Sequence, residues 1–235
     1  MCGRYSHDLT WAEIHELAGF AFPSPPNEPE PNYNTAPTQQ IPVVLRDEEY
    51  VWGEYARWDF IPPWYQGDPT KKRYSTINAR SEDLLNRKAY VGSAKQHRCL
   101  IPIRCFYEWD RTDPKYKRPY AIGVRGEGSF TPALVAGIWS HWTGTMHASE
   151  TEFYTVSMLT RAAGSLMAQI HDREPAILTA DEIHTWLQKP LEEALDMVRV
   201  PFPSQLLTAK PVSMDVNKVS NTGSGLMEPI GDALF

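Results

Sequence analysis

The sequence has little cysteine and no long apolar run. Its three cysteines, Cys2, Cys99 and Cys105, are too few and too odd in number for a disulfide framework. Cys99 and Cys105 are not spaced as a CxxC pair, so we expect no structural zinc site. No apolar run approaches the ~20 residues of a membrane helix, and the first ten residues lack the apolar core of a signal peptide. We therefore expect a soluble cytoplasmic protein without disulfides, metal or other cofactor.

Acidic residues outnumber basic ones in this chain of 235 residues, and the formal net charge is −6. That sum argues mildly against binding to nucleic acid. The charge is unevenly distributed, however: residues 71–118 contain 13 Lys and Arg against 5 Asp and Glu, a balance of +8, which leaves −14 for the remainder. The basic stretch is compatible with one basic face and equally with an ordinary solvated surface.

Strand-like patterns outnumber helical ones along the chain. Six runs predict strands at residues 41–45, 50–58, 98–109, 120–124, 133–139 and 153–160. Helical periodicity predicts helices over residues 10–20, 162–170, 179–188 and 191–198, the third opening with a Thr179–Glu182 capping box. Six prolines in residues 23–37 predict a long irregular segment. This order favours one α+β domain over residues 1–235, mainly β, with a curved or barrel-like mixed sheet and a loosely ordered tail at 221–235.

Cys2 is the first residue with distinctive chemistry. Removal of Met1, which is usual before a small side chain, leaves an α-amine and a thiol on adjacent carbons. An α-amine titrates near ~7.7–8.0, so part of it is nucleophilic at pH 7 and forms an imine with an aldehyde. The thiol then closes a five-membered thiazolidine ring. On its own this signal is weak, because most cysteines at position 2 have no such role.

Seven motifs in order make the sequence recognisable. They are CGRY at 2–5, YNTAP at 33–37, WDFIPPW at 58–64, INAR at 77–80, RCLIP at 98–102 followed by FYEW at 106–109, AGIW at 136–139, and IHDREP at 170–175. The chain resembles the SRAP (SOS response-associated peptidase) family, whose members cap abasic sites in single-stranded DNA. The resemblance covers nearly the whole chain and implies covalent capture of such sites by a monomer, with self-removal of Met1.

The resemblance implies four catalytic residues, namely Cys2, Asn78, Glu108 and His171. Glu108 lies among aromatic residues, where we expect a raised pKa suited to proton transfer. Asn78 offers a neutral donor and acceptor for the amine or the opened sugar. His171 is suited to protonating the sugar ring oxygen or holding a phosphate, with Asp172 beside it to fix the tautomer. By residue type alone, a solvent-facing carboxylate, a turn asparagine and a helix-capping histidine are the ordinary alternatives.

A second set of residues is expected to contact the DNA strand. Arginine pairs well with phosphate oxygens, and exposed aromatic rings stack on bases. The expected contacts are Arg4, Arg80 and Arg173 on phosphates, Asn34 and Pro37 lining the site, and Trp64 with its neighbour Tyr65 against bases. Core packing is the alternative for each aromatic residue, and it is preferred for Trp58 and Trp109.

Three positions depart from the pattern of the family. Asp59 stands where glycine is common after the tryptophan, and Cys105 precedes the FYEW motif in place of glycine. Glu174 replaces the usual Met or Arg and adds a negative charge beside Arg173, which is expected to weaken a phosphate contact. Two other functions remain open: a peptidase or amidohydrolase that uses Cys2 on amides, and a non-catalytic module that binds single-stranded DNA.

Overall fold

The structure, a computed structural model, describes residues 2–110 and 117–234. Fourteen strands are assigned there: β1 (Tyr5–His7), β2 (Asn32–Thr35), β3 (Gln40–Arg46), β4 (Val51–Trp58), β5 (Asn78–Arg80), β6 (Arg98–Ile103), β7 (Cys105–Trp109), β8 (Pro119–Arg125), β9 (Phe130–Thr131), β10 (Ala133–Met146), β11 (Ser149–Ala162), β12 (Arg173–Pro175), β13 (Ile177–Leu178) and β14 (Leu207–Pro211). The helices of the same part are α1 (Trp11–Ala18), α2 (Val91–Gln96), α3 (Ala180–Gln188) and α4 (Leu191–Val198). None of these helices is long and apolar enough to cross a membrane.

A closed barrel forms the centre of the fold. Strands β11, β4, β3, β6 and β10 are paired in that order, and β10 pairs back with β11 to close the ring. The β4–β11 pairing is parallel and the others are antiparallel. A second sheet has the order β14-β8-β7-β1-β2, with β9 beside β8. The predicted α+β class, mainly β with a barrel-like mixed sheet, is confirmed.

Alternation along the barrel strands divides the apolar residues between two clusters. Ile41, Val43 and Leu45 of β3 belong to the cluster that also contains Cys2, whereas Val44 belongs to the cluster packed under α1, α3 and α4. Successive side chains of a strand point to opposite faces, so one strand contributes to both clusters. The N-terminal cysteine is thereby packed against the barrel core.

Local capping signals set the ends of two helices. Thr10 and Glu13 form a capping box at the start of α1, and Gly19, with φ of 78°, ends the helix in the left-handed conformation. At α3 the backbone N–H of Thr179 donates to Glu182 Oε2 at 2.8 Å, which confirms the predicted box.

The structure contradicts two of the predicted secondary-structure elements. The predicted helix over residues 162–170 is absent: β11 continues to Ala162, and only the 3-10 turn Met167–Gln169 is helical. Ala163 N–H instead bonds to Asp172 O at 3.1 Å, because the chain turns back to pair β12 with β11. The run 98–109 is not one strand either. It breaks at Arg104, so that β6 lies in the barrel sheet and β7 in the second sheet.

The proline-rich segment and the C-terminal residues are more regular than the sequence predicts. Within residues 23–37, β2 forms and pairs with β1. In the expected tail, Leu226 is buried and Leu234 forms a bridge with Ala209. Both segments gain order from contacts with the second sheet, which local composition does not reveal.

Candidate active site

The N-terminal arm lies beside β7, which brings Cys2 close to Glu108. The backbone N–H of Tyr107 donates to Arg4 O at 2.8 Å, and Tyr5 pairs with Phe106. Cys2 is 2% exposed, and its Sγ lies 3.6 Å from Arg4 O. Burial first, and the Glu108 charge second, raise the pKa of the Cys2 thiol to about 12. The thiol is therefore protonated at neutral pH.

Asn78 contacts Cys2 directly. It begins β5, which runs parallel to β11 with Asn78 opposite Met158. Its Nδ2 donates to the Cys2 carbonyl oxygen at 2.6 Å, and this assignment follows because the carbonyl can only accept. The Asn78 Oδ1 is buried and has no hydrogen-bond partner among the described residues. Asn78 thus holds the Cys2 backbone and keeps one acceptor without a partner among the described residues.

Glu108 and His171 approach each other from different strand systems. Glu108 is buried, the His171 side chain is 8% exposed, and His171 Nε2 lies 4.0 Å from Glu108 Oε1. The Arg173 backbone N–H donates to His171 Nδ1 at 3.0 Å, which places the proton of a neutral ring on Nε2. The Asp172 carboxylate also lies 2.9 Å from Nδ1 and favours a proton there instead. Asp172 is exposed to water, which screens its charge, so the backbone contact decides the tautomer.

A cleft of about 400 Å³ opens beside these residues. Its lining includes Asn78, Arg80, His171 and Arg173. Arg80 is exposed and ends β5 two residues after Asn78, so that both side chains lie on one face of the strand. The cleft therefore combines a side-chain amide, an imidazole and two guanidinium groups.

Arg173 is held in this cleft by an acidic residue that the sequence reasoning missed. Its side chain is 8% exposed and forms a two-point ion pair with Glu82, with Nη2 2.9 Å from Oε2. Nη2 also donates to Thr160 O at 2.8 Å, and Nε is buried without a partner among the described residues. A phosphate would have to replace Glu82 to contact Arg173 through the same atoms. The position of Glu82, two residues after Arg80, was the only sequence signal for it.

Glu174 does not act on Arg173 as expected. It is buried, and its Oε1 accepts from Arg161 Nε at 2.9 Å and from the Phe202 backbone N–H at 2.8 Å. Its Oε2 accepts from the Gly164 N–H at 2.9 Å. Because adjacent residues of β12 point to opposite faces, Glu174 is directed away from the cleft. The prediction that Glu174 weakens a phosphate contact of Arg173 is therefore wrong, because the Glu174 carboxylate faces away from the cleft.

Arg4 and Asn34 bind each other and the C-terminal region. Arg4 Nη1 donates to Asn34 Oδ1 at 2.7 Å and to Val216 O at 2.9 Å. Asn34 is fully buried, and its Nδ2 donates to the carbonyls of Val216, Lys218 and Asn221. A direct DNA contact by Asn34 is contradicted by this burial. Its structural role is to fix Arg4, which follows Cys2 and Gly3.

The segment after β4 carries Trp64, which is 59% exposed and free of the core. Trp58, in contrast, is fully buried and donates from Nε1 to Ile77 O at 2.9 Å, which confirms the core role preferred for it. Pro37 is half-buried and precedes Thr38, whose φ is 75°. Within residues 2–110 and 117–234, Pro37 forms no hydrogen bond or ion pair that would tie it to the cleft.

Asp59, the departure after Trp58, has a defined partner. Its Oδ1 accepts from the buried Lys72 Nζ at 2.6 Å and from Thr76 Oγ1 at 3.1 Å. Lys72 also donates to Phe60 O at 3.1 Å. This network joins the two ends of the segment that carries Trp64, immediately before β5. The aspartate thus fixes a loop at the edge of the cleft.

Together, the fold and the site define a small-barrel protein with a buried cysteine near its N-terminus, set beside a polar and cationic cleft. The family model described as "SOS response associated peptidase (SRAP)" matches residues 1–219. The chain belongs to this family.

Two bacterial relatives are similar to the chain along nearly their whole length. The chain is 32% identical to "Abasic site processing protein YoqW" of Bacillus subtilis (strain 168), covering 97% of this chain and 99% of that protein. It is 27% identical to "Abasic site processing protein YedK" of Escherichia coli (strain K12), covering 98% and 100%. A crystal structure of a Bacteroides thetaiotaomicron protein has the same fold, with a TM-score of 0.80 and 21% identity over 97% of this chain and 99% of that one.

Proposed function

We propose that this protein processes abasic sites in single-stranded DNA by capturing their aldehyde covalently through the Cys2 aminothiol. Family membership and the names of the relatives support the abasic site as the substrate. The main structural support for this chemistry is the 2.6 Å hydrogen bond from Asn78 to the Cys2 carbonyl oxygen, beside a cleft lined by His171 and two arginines. The protein acts as a cytoplasmic monomer.

The reaction has two bond-forming steps. The α-amine of Cys2 adds to C1′ of the opened sugar, and loss of water gives an imine. The thiol sulfur then adds to the imine carbon while its proton moves to the nitrogen, which closes a thiazolidine. A thiol pKa of about 12 leaves little thiolate at pH 7, so the neutral amine is the better first nucleophile.

The neighbouring groups supply proton transfers and position. His171 Nε2, 4.0 Å from Glu108, donates to the sugar ring oxygen as the ring opens, and Glu108 takes and returns protons at the amine. The unpartnered Asn78 Oδ1 accepts from the amine or from a sugar hydroxyl. None of these roles needs a metal or an organic cofactor.

The aminothiol exists only after Met1 is removed, and the same site performs that step. The Cys2 sulfur attacks the Met1 carbonyl carbon, the Met1–Cys2 amide bond breaks, and the new amine takes a proton. Water then hydrolyses the thioester and frees the thiol. Glu108 and His171 are the proton carriers at hand, so the autopeptidase and the capture activity share one set of residues.

Single-stranded DNA suits the site better than a duplex. The aldehyde must reach a buried residue, and Trp64 is exposed for stacking on an unpaired base. Arg80 is free to contact phosphate, and Arg173 becomes available when Glu82 is displaced. The strand therefore lies over the cleft with its damaged sugar turned inward.

The test is a denaturing gel of the Met1-free protein mixed with a single-stranded oligonucleotide that carries one abasic site. Intact mass confirms the loss of Met1 beforehand. A heat- and detergent-stable shifted band is expected, absent with Cys2→Ala and with an undamaged oligonucleotide. No band from folded protein with a free Cys2 terminus would refute the proposal. Turnover of small amides would then favour an amidohydrolase, and reversible DNA binding alone would favour a binding module.

A further inference from the structure

A cavity separate from the cleft lies at the end of β1 that is farther along the chain from Cys2. It has a volume of about 550 Å³, and its wall is formed by the proline-rich segment, the starts of β2 and β3, and the side chains of His7 and Tyr55. Among the described residues, it shares none with the cleft that contains His171. The chemistry proposed for Cys2 therefore leaves this cavity without a role.

The charge of this cavity is negative. Glu28 and Glu30 line it, and its described lining includes no lysine or arginine. Both glutamates are exposed, and Glu28 Oε2 accepts from the Trp11 backbone N–H at 2.8 Å. Burial raises the pKa of the Tyr55 hydroxyl on the cavity wall, and the neighbouring glutamate charges, that of Glu54 among them, raise it further. A wall with charge of one sign attracts a cation.

His7 gives a second, independent indication of a ligand. It is 4% exposed, and its ring forms part of the cavity wall. Its Nδ1 is buried and has no hydrogen-bond partner among the described residues. A buried polar atom without a partner is costly, so a ligand that hydrogen-bonds to the ring is favoured. Burial lowers the pKa of His7 to about 4, so the ring is neutral at pH 7 and does not repel a cation.

The lining groups suit an organic cation better than a metal ion. Among the described residues, no three His, Cys, Asp or Glu side chains are close enough together to hold a metal. Gln40 is exposed and offers an amide oxygen as a further acceptor, and the ring of Tyr55 attracts a positive charge. The volume lies within the range of small-molecule sites. Carboxylates, a neutral imidazole, an amide and an aromatic ring together match a ligand whose charge is carried by N–H donors.

We propose that this cavity binds an organic cation that carries an ammonium or guanidinium group. The N–H groups of the ligand donate to the carboxylates of Glu28 and Glu30 and to the His7 ring, and its charge lies against Tyr55. Such a group belongs either to a free amine or to the arginine side chain of a protein, and the choice of probe distinguishes these sources. Binding here is independent of the capture of abasic sites.

The experiment is isothermal titration calorimetry of the protein with putrescine, agmatine and N-acetyl-argininamide at low ionic strength. Tighter binding of putrescine or agmatine would identify a free amine as the ligand, and tighter binding of N-acetyl-argininamide would identify a protein side chain. We expect Glu28→Gln/Glu30→Gln to raise the Kd about tenfold, because each carboxylate contact is worth a few-fold in affinity. Glutamine keeps the acceptor for the Trp11 N–H. His7→Phe should also weaken binding, because it removes the ring nitrogens and keeps a ring.

The matched control is Glu48→Gln/Glu49→Gln, which removes the same charge from two exposed positions outside the cavity. An equal loss of affinity for this control would overturn the proposal in favour of a general charge effect. An unchanged Kd for Glu28→Gln/Glu30→Gln, or no binding of any probe at millimolar concentration, would also overturn it. A thermal melt checks the fold of each variant, and the glutamate variant decides the result if His7→Phe does not fold.

Discussion

Replacement of Glu82 by glutamine tests whether this carboxylate occupies the position of a DNA phosphate. Glu82 pairs with the Arg173 guanidinium at two points, and the Glu82 side chain is 46% exposed. Water therefore screens the pair, which is worth about 1 kcal/mol, or about fivefold in a binding constant. If a phosphate displaces Glu82, Glu82→Gln tightens binding of single-stranded DNA about fivefold.

The assay is fluorescence anisotropy with an oligonucleotide that carries a tetrahydrofuran abasic analogue, which has no aldehyde and binds reversibly. Glu127→Gln, at an exposed loop position, is the control for loss of one negative charge. Addition of Arg173→Gln should abolish the gain from Glu82→Gln, because the two residues act through one contact. If Glu82→Gln leaves the affinity for the oligonucleotide unchanged, then Glu82 does not compete with DNA and the reasoning is refuted. A thermal melt checks that both variants remain folded.

Four further predictions each concern one residue. Asn78→Ala removes the 2.6 Å hydrogen bond to the Cys2 carbonyl and should slow capture of the abasic site at least tenfold. An unaltered capture rate would exclude the positioning role of Asn78. Trp64→Ala should weaken binding of the undamaged strand by ~1–3 kcal/mol, which anisotropy measures, with no loss of melting temperature. Glu174→Gln leaves the Arg161 charge buried and should cost ~3–5 kcal/mol in urea unfolding; a cost below 1 kcal/mol would contradict a buried pair. Burial lowers the pKa of His7 to about 4 from 6.5, so the unfolded chain binds more protons between these values and stability falls as pH drops through that window. His7→Gln should reduce that acid sensitivity in unfolding curves measured from pH 7 to pH 4.

The fold was largely predictable because its signals are local. The alternation of Ile41, Val43 and Leu45 and the capping pair of Thr179 and Glu182 each act within a few residues, and each appears as predicted. The helix expected at 162–170 fails for the opposite reason. Its apolar spacing suits a helix, yet pairing of Ala162 with Arg173 extends the barrel strand through the same residues. A long-range pairing overrides a weak local preference there.

The candidate site divides in the same way. The resemblance to the SRAP family implied Cys2, Asn78, Glu108 and His171 as catalytic residues, which stays a prediction, and the structure brings these four residues into one region. The same reasoning placed Asn34 on the DNA side, where its full burial excludes a contact. An asparagine with several donors and acceptors suits either role, and only the surrounding carbonyls distinguish them.

Residue order alone was enough to predict the strand-rich pattern, the capping box at Thr179 and a cysteine directly after Met1. Which side chains meet depends on the tertiary structure. Asn78 reaches Cys2 across 76 residues and Glu82 reaches Arg173 across 91, and both distances depend on barrel closure and on the register of β5 and β12 against β11. A shift of one residue in either register would turn these side chains to the opposite face of the sheet. Residue types therefore indicate the chemistry, and strand register determines whether those residues lie close together.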